Sequence, residues 1–290
     1  MLRPMDSTDR VVRLMTMDGA FRLMAAVTTA TARGALGAQA TGDGLGLRLA
    51  ELITSAVLVR ETTQPARRVQ MVWRDRQGRS LVADALPDGA NRGMVNPGDD
   101  RAVAEDGDHV LSVNYTLPNG ELHQGMTAIA AGDDMATSLM RYFKQSEQII
   151  AMVAVGALPG PGGVRVCGGY VVQLLPEATR EVIDAMTAHL AQLEPIEQLL
   201  EGRGRTAAEL AAVVFEGFEH AELASSPLRF GCTCSEARVM MSILTLPDDD
   251  VREILEGEPL QVRCDACGAS YVIDPDAVRA FRDQRRGLVS

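Results

Sequence analysis

The spacing of apolar and polar positions changes character along the chain. Residues 1–178 mix two-residue alternation with 3.6-residue spacing, which predicts an α/β (α+β) N-terminal core domain with substantial antiparallel sheet. Val69, Met71 and Trp73 alternate as a half-buried strand does, with a turn around Gln77-Gly78 and a return to strand at Leu81. A clearer hairpin joins 110–115 to 122–128 through Leu117-Pro118-Asn119-Gly120, because an Asn-Gly pair readily adopts the positive φ of a tight turn. Apolar residues at helical spacing predict one helix over 45–59, through Leu49, Leu52, Ile53 and Ala56. They predict another over 135–145, through Leu139, Tyr142 and Phe143.

After Pro176 the pattern reads as wholly helical, and residues 179–228 form the expected helical middle segment. Thr179 is placed to cap a helix whose stripe is Val182, Ile183, Met186, Leu190 and Leu193. Thr206 and Glu209 have capping-box spacing ahead of a second stripe, Leu210, Val213, Val214 and Phe218. Gly202, Gly204 and Gly217 punctuate these helices. Amphipathic segments interrupted by glycine fold by docking on a neighbour, since their intrinsic helix propensity is weak. Residues 229–290 are expected to form a small C-terminal domain of short helices and strands.

Composition narrows the function classes. An apolar fraction of 46% with 23% charged residues suits a folded protein of 290 residues. No run approaches the ~20 apolar residues of a membrane-spanning helix. The start MLRPMDSTDRVVRLM lacks an apolar signal-peptide region, so a cytoplasmic location and no membrane partner are expected. A formal net charge of −11, with Lys144 the single lysine, argues against a nucleic-acid partner, whose phosphates demand clustered cations. Arg279, Arg282, Arg285 and Arg286 do cluster, but residues 232–290 carry 11 acids against 7 bases, and a solvated helix end accounts for them.

The glycine-rich run 156–176 lacks the Gly-Lys-Ser/Thr ending of a phosphate loop, and strand-like YVVQLL follows it where a helix would be needed. It reads as a hairpin connection, and Cys167 within it as a small buried hydrophobe. His109, His123, His189 and His220 are scattered with no nucleophile nearby in sequence, so no catalytic constellation and no enzyme activity are expected. Asp248, Asp249 and Asp250 follow Pro247 and suit a helix start, where carboxylates meet the positive end of the helix dipole.

The informative chemistry is Cys232-x-Cys234, 29 intervening residues, and Cys264-x-x-Cys267. Four converging thiolates make the closed tetrahedral site that zinc favours, with Zn–S near ~2.3 Å, and one zinc ion is the expected cofactor. Cys264-Asp-Ala-Cys267-Gly268 looks like a zinc-ribbon knuckle between strand-like 260–263 and 270–273, with Ser235 capping a helix between the couples. A rubredoxin-like iron site normally has two Cys-x-x-Cys loops, and a dithiol oxidoreductase places its motif at the start of a helix. Both fit less well. On spacing alone an inert zinc ribbon and a redox switch stay equally open, because zinc thiolates remain oxidisable and pairing within each couple is sterically allowed.

The phrases CTCS, LPDDDV, CDACG, YFKQSEQ at 142–148 and GGYVVQLLPEA at 168–178 break that tie. With the two cysteine couples, they resemble the heat shock protein 33 (33 kDa chaperonin) family of redox-regulated holdases over most of the chain. The resemblance implies a cytosolic, ATP-independent chaperone, inactive when reduced and zinc-bound, with an α/β core, a helical middle segment and a zinc domain. It implies that Cys232, Cys234, Cys264 and Cys267 ligate zinc, and that oxidation joins Cys232 with Cys234 and Cys264 with Cys267. Zinc release then unfolds the middle segment, and a homodimer binds unfolding client proteins. Such pairing leaves the two halves of the zinc domain untied, where zinc had joined them. One departure is the alanine-rich stretch 206–212, whose helix-forming strength means the family's unfolding threshold does not carry over. The reading from another class is a constitutive zinc-ribbon interaction module.

Overall fold

The computed structural model describes residues 9–287 except 40–42, 64–66, 76–77, 97–108, 117–120, 131 and 162. It contains two compact units, Met1–Gly231 and Cys232–Ser290. The turn at Leu117-Pro118-Asn119-Gly120 and residue Gln77 of the earlier turn lie outside the described residues, as do the side chains of Arg285 and Arg286.

In the first unit the chain runs β1 (Arg10–Thr16), β2 (Phe21–Val27), α1 (Thr29–Gln39), α2 (Asp43–Thr62), β3 (Val69–Arg74), β4 (Ser80–Ala85), β5 (Ala90–Asn96), β6 (His109–Thr116) and β7 (Leu122–Ile129). It continues with α3 (Met135–Tyr142), a π-helical turn (Phe143–Glu147), β8 (Ala151–Leu158), β9 (Val166–Leu174), α4 (Arg180–Leu190), α5 (Ile196–Glu201), α6 (Ala207–Val214), β10 (His220–Pro227) and β11 (Arg229–Phe230). A five-stranded sheet has the order β10-β1-β2-β9-β8, and a six-stranded sheet the order β11-β5-β4-β3-β6-β7. Neighbours pair antiparallel except β11, which lies parallel to β5.

Helix α2 contacts β3, β4 and β5 of one sheet and β2, β8 and β9 of the other. Its sequence carries the reason, since Leu49, Leu52, Ile53, Ala56, Val57, Leu58 and Val59 surround the helix and all are buried. A helix apolar all round must lie inside. The five-stranded sheet therefore has two apolar faces. Val11, Met24, Ala26 and Val171 point into the core around α2. Val12, Leu14, Leu23, Ala25, Tyr170 and Val172 point the other way, beneath Met186, Ile196, Leu199, Leu200, Leu210, Val214 and Phe215 of the α4–α6 segment. The expected stripes of the middle segment dock on this face, and the capping box of Thr206 and Glu209 is formed in both directions.

Two readings of the middle segment are corrected. It is not wholly helical, because His220–Pro227 is a strand paired with β1. HAELASSP lacks strand alternation, and its conformation comes from main-chain pairing with a partner some 200 positions away. Thr179 occupies the N-cap position of α4, but its side chain accepts no backbone N–H. The Glu181 carboxylate, two residues on, is held below its usual range, first by its own backbone N–H and then by the nearby Thr179 hydroxyl. The helix read over 135–145 ends earlier, at Tyr142, and passes into the π-helical turn. There Glu147 of the YFKQSEQ motif accepts from the Tyr142 hydroxyl, which in turn accepts from the buried Tyr115 hydroxyl at 2.7 Å. That motif is thus a structural lock inside the core.

The glycine-rich run is a hairpin connection between β8 and β9, as expected. From β10 the chain crosses to the other sheet. Leu228 N–H donates to the Asp9 carbonyl at 2.9 Å, Arg229 N–H to Gly89 at 3.0 Å and Gly231 N–H to Asn91 at 2.9 Å. Gly89, at φ +79°, admits the Pro227 carbonyl so closely that a Cβ there would lie 2.3 Å from it.

The second unit contains α7 (Glu236–Ile243), α8 (Asp248–Glu256), β12 (Leu260–Arg263), β13 (Ser270–Ile273) and α9 (Pro275–Gly287). Ser235 caps α7 by accepting from Arg238 N–H, and Asp248, Asp249 and Asp250 fill the first turn of α8, both as expected. Its buried apolar core is Ile243, Leu255, Ile273 and Val278, flanked by half-buried neighbours. Arg279 donates to the Leu255 carbonyl at the end of α8 and pairs with Asp276, while Arg282 pairs with Asp283 at 3.5 Å. The described part of the basic cluster is spent on helix ends and local carboxylates.

Candidate metal centre

Each cysteine couple is formed by local chain geometry. Cys232 and Cys234 lie in the extended segment entering α7, where Ser235 starts the helix and Arg238 bonds the Thr233 carbonyl at 3.0 Å. Cys264 and Cys267 occupy the knuckle between β12 and β13. Cys264 N–H donates to Ala269 and Gly268 N–H to Cys264, both at 2.8 Å, and Gly268 turns the chain at φ +72°. The antiparallel pairing of Arg263 with Ser270 holds the two ends of the knuckle together.

The tertiary fold brings the couples into one cluster. All four Sγ atoms lie within 4.8 Å of one another, and all four residues are half-buried. Cys232 Sγ is 3.8 Å from Cys264 Sγ, and Cys234 Sγ is 3.3 Å from Cys267 Sγ. A tetrahedron with metal–sulfur bonds of ~2.3 Å has edges of ~3.8 Å, so these separations suit four ligands of a single ion. Among the described residues this is the one cluster of histidine, cysteine or carboxylate groups placed to hold a metal.

The donor set also fits on electrostatic grounds. Burial first, and then the neighbouring sulfurs, push the Cys267 thiol up to about 12, and burial raises Cys234. Four crowded sulfurs resist ionising together unless a cation offsets their charge, and a bound dication inverts that preference. Tyr271 was not anticipated as part of the site. Its hydroxyl donates to Cys234 Sγ at 3.0 Å, and that bond pushes the phenol up to about 12. Metal ligands are commonly oriented by such outer partners. The available signal was its place on the strand that closes the knuckle.

Cys167 sits apart, in the first unit. It is fully buried, its Sγ lies 3.1 Å from Thr54 Oγ1, and burial pushes the thiol up to about 12. Thiolate is the reactive form, so this cysteine is inert while the unit is folded. Cys167→Ala is expected to leave metal content and oxidant response unchanged and to cost about 1–2 kcal/mol of stability. Metal analysis and urea unfolding check this, and an altered oxidant response would contradict it. The four histidines are likewise structural. His109 packs edge-on against Trp73, His123 stacks on Tyr115, His189 bonds the Val214 carbonyl at 3.1 Å, and His220 bonds the Phe218 carbonyl at 2.7 Å.

Known proteins are similar to this chain over nearly its whole length. A sequence model described as Hsp33 protein matches residues 9–274. The 33 kDa chaperonin of Thermus thermophilus is 30% identical over 296 residues, covering 94% of this chain and 86% of its own. That of Bacillus licheniformis is 29% identical over 292 residues, covering 95% and 99%. A crystal structure titled as the 33 kDa chaperonin (heat shock protein 33 homolog) of Thermotoga maritima superposes with a TM-score of 0.80 at 19% identity, covering 97% of this chain and all of that one. At that identity it speaks to the fold. With the family model spanning nearly the whole chain and the four-cysteine cluster in place, the chain belongs to the Hsp33 family.

Proposed function

We propose that the chain is a redox-regulated, ATP-independent holdase chaperone of the bacterial cytoplasm. In the reduced state Cys232, Cys234, Cys264 and Cys267 hold one zinc ion. Bound zinc supplies folding energy, on the order of 10–16 kcal/mol in small zinc peptides, and the four-residue buried core of Cys232–Ser290 is too small to replace it. A strong oxidant such as hypochlorite, or peroxide with heat, takes two electrons from each couple. Cys232 then joins Cys234, and Cys264 joins Cys267. The thiolate ligands are consumed, the C-terminal domain (229–290) unfolds, and the middle segment (179–228) detaches from the core domain (1–178).

The observation that carries this reading is the doubly apolar five-stranded sheet, one face of which is covered, among the described residues, by the α4–α6 segment. The covering segment leads by chain continuity into Cys232. Its release would bare Val12, Leu14, Leu23, Ala25, Tyr170 and Val172 together with its own stripes. Contiguous apolar surface of that kind binds unfolded chains without a fixed motif. We assign unfolding client proteins as partners, with a homodimer as the oxidised form.

The test is aggregation of a heat-unfolded client, followed by light scattering, with zinc-loaded protein and with the same protein oxidised until zinc is lost. Suppression by the oxidised form alone is expected. Equal suppression by both forms defeats the switch and favours a constitutive binding module, and none by either defeats the holdase.

A further inference from the structure

Strand β10 is the edge of the five-stranded sheet and pairs with β1 alone. Its register sets Ser225 opposite Val12, Glu222 opposite Leu14 and His220 opposite Thr16. Residues directly opposed in an antiparallel ladder project to the same face. Val12 and Leu14 belong to the apolar face beneath α4–α6, which continues through Leu23 and Ala25 of β2 to Tyr170 and Val172 of β9. At β10 that face stops, because the next row is serine, glutamate and histidine.

The hold of β10 on β1 is correspondingly generic. Residues 220–224 are exposed, and Leu223 is 50% exposed at a bulge that leaves it opposite no β1 residue. Its side chains make two hydrogen bonds to β1, Arg10 Nε to Ser225 Oγ at 3.0 Å and Arg13 Nη1 to Ser226 Oγ at 3.2 Å. The remaining attachment to β1 is main-chain pairing, which any extended polypeptide can supply. A strand that is polar where its neighbours are apolar fits this position less well than an extended segment with apolar residues at alternate positions. Such segments are buried in folded proteins and exposed in unfolded ones.

We propose that β10 is a built-in placeholder, and that the edge of β1 (Arg10–Thr16) captures an extended segment of an unfolded polypeptide by strand addition once β10 has left. The captured segment runs along β1 and continues the apolar face with its alternate side chains. This rests on the holdase reading above and adds how the client is held. Main-chain pairing makes capture tolerant of sequence, and the face beside it selects alternating apolar residues over wholly polar ones.

The test uses the oxidised full-length chain and a fluorescent eight-residue peptide alternating valine and threonine. Two further versions carry N-methyl groups on the valine amides or on the threonine amides. An added strand presents one set of amides to β1 and the other to solvent. One methylated peptide is therefore expected to bind as the parent does and the other at least tenfold more weakly. Equal binding of the two methylated peptides, or no binding of the parent, overturns strand addition while client protection by the oxidised chain still stands. Absence of client protection defeats the holdase reading and this inference with it.

Discussion

Replacing Cys264 with serine is expected to strip the metal from the reduced protein and unfold Cys232–Ser290 without any oxidant. Among the described residues, the cluster placed to hold a metal consists of these four cysteines. A hydroxyl is a poor substitute for a thiolate on a soft-tolerant ion such as zinc. Four buried apolar side chains, Ile243, Leu255, Ile273 and Val278, cannot offset the loss of a metal worth on the order of 10 kcal/mol. The measurements are zinc content by mass spectrometry and amide exchange across residues 232–287. Full exchange within seconds is expected for α7, α8 and α9, with β2, β3 and β9 still protected. Retained zinc with a protected second unit would contradict the four-thiolate assignment.

The second large effect is expected from Leu210→Ala in α6. Leu210 is fully buried on the face shared by α4–α6 and the five-stranded sheet. A buried leucine cut to alanine costs roughly 2–5 kcal/mol, depending on how far the site collapses. Helices of eight and six residues do not persist without docking, so the loss falls on the attachment of α5 and α6. The variant is expected to suppress client aggregation while still reduced and zinc-loaded, with faster amide exchange confined to 180–227. Leu52→Ala in α2 is the control. It removes the same atoms from the core between the two sheets, and it is expected to lower the unfolding midpoint without conferring activity in the reduced state. Activity in both variants, or in neither, would sever client binding from this particular face.

The elements legible in the sequence are those whose signal is local. The apolar positions of α2, the alternation of Val69, Met71 and Trp73, the Thr206–Glu209 box and the Pro247-Asp-Asp-Asp start each sit within a few residues of the structure they specify. Strands β1 and β2 were readable in principle, since Asp18-Gly19 separates two apolar runs, and Asp18 accepts from Ala20 N–H at 3.0 Å in the turn. Strand β10 was not. HAELASSP carries no pattern of its own, and its conformation is imposed by β1 from the far end of the unit. Thr179 shows the converse, a residue of suitable type at the N-cap whose side chain makes no cap hydrogen bond.

The candidate site divides in the same way. Spacings of two and three residues let each pair of sulfurs converge through the local chain path, so the two couples and their fitness to hold a metal were legible in the sequence itself. That the couples meet, with Cys232 beside Cys264 and Cys234 beside Cys267 under the Tyr271 hydroxyl, is a tertiary result, because it depends on helices α7 and α8 folding between them. The apolar stripes of α4 and α6 were likewise visible as stripes, but only the fold shows what they cover. A periodic pattern specifies that a face must be buried. Long-range packing decides against what, and here the answer is the second apolar face of a sheet whose first face is already filled by α2.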